Sequence, residues 1–70
     1  MSELKASMAG SVWKILVEKG EEVTEGQEVV ILESMKMEIP IAAETNGTVT
    51  SVNVNESDFV NEGDVLVTVE

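Results

Sequence analysis

The residues of this chain that could do chemistry are six in a row, Glu33-Ser34-Met35-Lys36-Met37-Glu38. A lysine carries a primary amine on a long flexible stem, which makes it an acyl acceptor and a frequent target of covalent modification. At the tip of a turn it needs no neighbouring base if another enzyme delivers an activated acyl group. Met35 and Met37 are soft, adaptable contact groups, suited to a partner that must approach the lysine closely. Taken alone, Met-Lys-Met also has a plainer meaning, in which the thioethers fold back onto the core and Lys36 keeps the tip soluble. Glu33 and Glu38 bracket the segment; paired carboxylates near a turn are usually solvated, and their functional reading is recognition of the turn by an enzyme.

The rest of the composition supplies no competing chemistry. The 70 residues include no Cys and no His, which removes disulfides, thiolate sites, the usual zinc sets and a histidine base. There is no Gly-rich phosphate loop and no nucleophile beside a base, so a catalyst is not expected. Fourteen acidic residues against four lysines give a net charge of −10, poor equipment for a phosphate backbone. Such a surface favours solubility and can steer the protein toward basic partners. The longest apolar run, Val29 to Leu32, is far too short to span a membrane, and the N-terminus lacks a signal-peptide core. The expectation is a cytoplasmic protein, monomeric in isolation, with neither nucleic acid nor a membrane as partner.

Two half-repeats position the six residues. Shifted by 37 positions, residues 6–33 fall on 43–70 without a gap. Identities include Ala6/Ala43, Gly10/Gly47, Val12/Val49, Val23/Val60, Gly26/Gly63 and Val30/Val67. Self-similarity at a fixed period marks a structural unit used more than once. We therefore expect one domain over 1–70, built of half-repeats 6–33 and 43–70 joined by a hairpin over 34–42. A pseudo-two-fold axis would put the Lys36 turn and the paired termini at opposite ends of the molecule.

Val-rich segments with strand spacing, and no 3.6-residue period, predict short strands. The apolar positions 12, 15 and 17 and their copies 49, 52 and 54 share a step of three and then two, which predicts a bulge or a sheet-switching bend at the same point in each half. Trp13 and Leu16 depart from Thr50 and Asn53 and are expected to widen the core of the first half rather than to form a binding platform. Gly20, Gly26, Gly47 and Gly63 mark turns, and Pro40 belongs at a sheet edge or strand end. The fold class is all-β: a small sandwich or flattened barrel.

Glu33-Ser34-Met35-Lys36-Met37 resembles the Glu-Ala-Met-Lys-Met attachment motif of biotinyl domains, the carboxyl carriers of biotin-dependent carboxylases. The resemblance covers roughly residues 6 to 70. Ala6…Gly10-Ser11-Val12 and Ala43…Gly47-Thr48-Val49 are similar to the family's Ala-Pro-x-x-Gly-x-Val elements. Segments 23–29 and 60–66 are similar to its Val-x-x-Gly-x-x-Leu hairpins. Ser7 and Glu44 stand where the family often has Pro, Ser34 replaces Ala, and Ser57 replaces a usual Gly. The resemblance implies two four-stranded antiparallel sheets and a covalent biotin on Lys36, with Met35 and Met37 as motif flanks. It gives Glu33, Ser34 and Glu38 a part in recognition by a biotin protein ligase. It also implies a biotin carboxylase and a carboxyltransferase as partners, between which the tethered group swings. With no insertion between Val17 and Val29 and no Ala/Pro-rich linker, a free-standing carrier without a protruding thumb is expected.

The nearest alternative is a lipoyl domain, with Lys36 acylated by lipoyl-attaching enzymes, or a domain that accepts both groups. Lipoyl lysines usually sit in Asp-Lys-Ala, whereas methionines flank Lys36, and Glu33 is common to both families. An acyl carrier protein would need its serine at the start of a helix, and Ser34 lies between strand-like segments. An unmodified interaction module of the same architecture is the remaining reading.

Overall fold

The computed structural model describes residues 2–70. Eight strands follow in order: β1 (Ser2–Lys5), β2 (Gly10–Ile15), β3 (Glu22–Val23), β4 (Glu28–Ser34), β5 (Met37–Ala42), β6 (Gly47–Val52), β7 (Phe59–Val60) and β8 (Val65–Val69). They form two four-stranded sheets, ordered β1-β8-β6-β3 and β5-β4-β2-β7, with every pairing antiparallel. A shift of 37 residues carries β2 onto β6, β3 onto β7, β4 onto β8 and the last four residues of β5 onto β1. One sheet is thereby mapped onto the other.

The backbone hydrogen bonds that extend the pairings of each sheet past its strand ends obey the same relation. Ala6 N–H donates to the Asp64 carbonyl at 2.9 Å, and Ala43 N–H to the Gln27 carbonyl at 2.8 Å. Gly20 N–H reaches the Val49 carbonyl at 2.7 Å, and Ser57 N–H the Val12 carbonyl at 2.8 Å. The four-residue turns match too. Glu18–Glu21 and Asn55–Asp58 each close on a backbone bond, while the last side chain accepts the first residue's N–H. Their third residues, Gly20 and Ser57, have φ of 92° and 80°, the left-handed position of a type II turn.

The core is two-fold in composition as well. Leu4 is matched by Ile41, Ala6 by Ala43, Val12 by Val49, Val29 by Leu66 and Leu32 by Val69, all buried. Each fully buried Val or Leu side chain is worth about 1.5–3 kcal/mol of transfer free energy, and in 70 residues such a core has little to spare. Among the described residues no polar or charged side chain is buried. A bulge falls between Val12 and Lys14 in β2 and between Val49 and Ser51 in β6, as the three-then-two spacing predicted. Pro40 sits on β5, an edge strand, where its missing N–H removes no ladder bond from a central strand.

The expectation that Trp13 and Leu16 enlarge the core is corrected. They are 41% and 45% exposed. The bulge leaves Trp13 without a partner on β4 while Val12 is turned inward. Lys14 Nζ stands 5.6 Å from the centroid of the outward-facing ring, a cation–π distance. Leu16 donates its N–H to the Val29 carbonyl, and it is Val17 that enters the core.

Strand β1 lies outside the repeat as the sequence displays it. It pairs with β8, Ser2 opposite Val69, so the described chain ends lie side by side. The molecule measures 31 × 19 × 18 Å, and the β4–β5 turn belongs to the other sheet from the strands that carry those termini. There is no helix among the described residues, hence none long and apolar enough to cross a membrane.

Candidate functional site

Strands β4 and β5 form a hairpin whose last pair is Ser34 opposite Met37, leaving Met35 and Lys36 as a two-residue loop. Both loop residues have positive φ, 52° for Met35 and 66° for Lys36. That is the pattern of a type I′ turn, whose twist matches the flanking strands and which usually uses Asn-Gly. An L-residue other than Gly, Asn or Asp there costs about 1–2 kcal/mol. The hairpin stem supplies the restraint. Leu32 is fully buried opposite the partly buried Ile39, and Val30 is fully buried opposite Ile41. A rigid, well-anchored stem thus holds two disfavoured residues at its tip.

The tip is open. Met35 is 91% exposed and Met37 65%, and Lys36 is exposed between them. The methionines therefore do not fold back onto the core, and the plainer reading of Met-Lys-Met is set aside. Glu33 and Glu38 are exposed and face each other one step below the tip, while Ser34 is half-buried at the root. All six residues singled out from the sequence lie together on the hairpin. The geometry suits covalent loading: neither neighbour covers the lysine, and an amide formed there would project into solvent.

One contributor went unrecognised. A Cβ placed on Gly10 would lie 2.8 Å from the Glu33 carbonyl oxygen and 3.3 Å from Ser34 Cβ. Gly10 thus lets β2 pass directly against the root of the hairpin. Its two-fold mate Gly47 does the same beneath the Glu70 carbonyl, at 2.7 Å. The identity Gly10/Gly47 was the available signal, but it gives no hint of which strand each glycine supports. The remaining lysines are placed differently. Lys5 and Lys14 lie on strands, and Lys19 belongs to a turn whose Gly20 N–H is tied to β6.

The biotin/lipoyl family model, described as "Biotin-requiring enzyme", matches residues 2–69. The biotin/lipoyl attachment protein of Bacillus subtilis is 60% identical over 60 residues, covering 86% of this chain and 82% of that protein. The biotin carboxyl carrier protein of Streptococcus mutans is 44% identical over 66 residues, covering 94% of this chain and 51% of its own length. Among solved structures, the urea carboxylase of Kluyveromyces lactis superimposes with a TM-score of 0.93 at 29% identity. That match takes in 99% of this chain and 6% of the carboxylase, so the chain spans one small part of the larger enzyme.

Proposed function

The chain belongs to the biotin/lipoyl family, and on that premise we propose that it is a biotin carboxyl carrier loaded on Lys36. The observation that carries this reading is the hairpin tip, where a rigid stem presents one lysine between two exposed methionines. A biotin protein ligase offers an acyl-adenylate. The amine of Lys36 attacks its carbonyl, the new N–C bond forms as AMP leaves, and the amine proton passes to solvent. Met35 and Met37 supply the apolar contact that lets the ligase close around the lysine. Glu33, Ser34 and Glu38 form the stem surface by which it recognises the hairpin.

Bound biotin supplies a ring nitrogen that takes up and gives up an activated carboxyl group. The chain's own part is presentation without catalysis. The stem fixes the tether, the lysine stem adds reach, and tethering raises the local concentration of the reactive ring at each partner. Those partners are a biotin carboxylase and a carboxyltransferase. This is supported by relatives such as the human propionyl-CoA carboxylase alpha chain, 44% identical over 69 residues that make up 10% of that protein.

Lipoyl attachment is the second reading, favoured by the relative whose name includes both groups. Incubation with a biotin ligase or a lipoyl ligase in separate reactions, followed by intact mass and peptide mapping, tests both. A biotinyl adduct on Lys36 that is absent from Lys36→Arg supports the carrier reading. An unmodified chain, or an adduct at Lys5, Lys14 or Lys19, ends it.

A further inference from the structure

The sulfur atoms beside Lys36 have a chemistry of their own. A thioether is oxidised by peroxide only where the oxidant can reach it, and Met35 at 91% and Met37 at 65% are far more open than Met8 at 42%. They also flank the lysine on both sides, Met35 in the two-residue loop and Met37 at the first position of β5. We propose that Met35 and Met37 form a sulfoxidation site at which peroxide switches off attachment at Lys36 and a methionine sulfoxide reductase restores it. This rests on the reading of Lys36 as the attached lysine.

The step balances without a metal. A sulfur lone pair attacks one peroxide oxygen, the S–O bond forms as the O–O bond breaks, and the departing hydroxide leaves as water with the peroxide's second proton. Sulfur is oxidised by two electrons and the peroxide is reduced. In the reverse direction a dithiol supplies two electrons and the oxygen leaves as water. The product is polar and chiral where the thioether was apolar and pliable. A ligase surface that closes on the tip must then desolvate two sulfoxide dipoles, which weakens docking. The hairpin itself should survive, because neither thioether contributes to the core.

The test uses the unmodified full chain. It is treated with hydrogen peroxide, freed of oxidant, mapped by peptide mass spectrometry and offered to biotin protein ligase with biotin and ATP. Sulfoxide should appear at Met35 and Met37 before Met8, circular dichroism should keep its strand spectrum, and kcat/KM should fall by about tenfold or more. Treatment with both reductase types, one for each sulfoxide epimer, should restore the rate, and Met8→Leu should show the same loss and recovery. Unchanged kinetics with both sulfoxides mapped would overturn the proposal. So would a loss that follows unfolding, or one that persists after reduction. If the untreated chain is not acylated at Lys36 at all, the carrier reading itself has failed, and the proposal with it.

Discussion

Glu33 and Glu38 stand directly opposite each other across the β4–β5 ladder, one pair below the tip that carries Lys36. Like charges in this position repel, on a chain whose net charge is already −10, and a cross-strand pair of this kind is worth about 0.2–1 kcal/mol. Replacing Glu38 with Gln should stabilise the fold by that amount in urea titrations at low salt. The gain should shrink as salt screens the pair. The same substitution should slow acylation, because it removes part of the surface offered to the ligase. A variant that is neither more stable nor slower to be modified would show that the opposed carboxylates are merely solvated.

The strained tip predicts a conflict between stability and function at Lys36. With φ at 66°, Gly fits the position better than any L side chain. Lys36→Gly should therefore raise stability by up to about 1 kcal/mol, or about 4–8 °C in Tm for a domain of this size. It should abolish the adduct completely. Lys36→Arg keeps the strain and the charge, so its Tm should match the parent while the adduct is lost, since guanidinium is a poor acyl acceptor. A Tm for Lys36→Gly at or below the parent value would mean the loop carries no recoverable strain.

Ser57 offers an internal control for the same physics away from the site. Its two-fold mate is Gly20, and the two share the third position of matching turns with φ of 80° and 92°. Ser57→Gly should stabilise by up to about 1 kcal/mol, and Gly20→Ser should destabilise by a similar amount. Neither change should alter acylation, because both turns belong to the body of the fold. Thermal melts of the two variants side by side decide it: shifts of the same sign would refute the two-fold account of these turns.

The sequence shows those features that depend on identity or spacing. The paired bulges are legible because Val12, Ile15 and Val17 are copied by Val49, Val52 and Val54. Strand β1 is not, because Ser2, Glu3 and Lys5 share nothing with their mates Ile39, Pro40 and Ala42, and only Leu4 keeps an apolar partner in Ile41. Trp13 misled because a large aromatic side chain favours burial, while the bulge dictates which way it points. At the site, the lysine and its flanks could be picked out by type. The positive φ of Met35 and Lys36 could not, since neither is a residue that seeks that conformation.

The most direct check on how the site is held compares Gly10→Ala with Gly47→Ala. Each added methyl meets a main-chain carbonyl at under 3 Å, that of Glu33 in one case and that of Glu70 in the other. Backbone cannot move aside as a flexible side chain can, so both substitutions overpack and should cost about 1–3 kcal/mol. Their consequences for the tip differ. Gly10 underlies the root of the hairpin that ends in Met35 and Lys36, whereas Gly47 underlies the chain end two-fold opposite it. At matched folded fraction, acylation of Lys36 should slow several-fold in Gly10→Ala and stay at the parent rate in Gly47→Ala. Hydrogen exchange at the Met37 amide should quicken only in the former. Equal rates in the two variants would mean that the tip keeps its presentation without support from β2, and that stem packing alone holds the lysine in place.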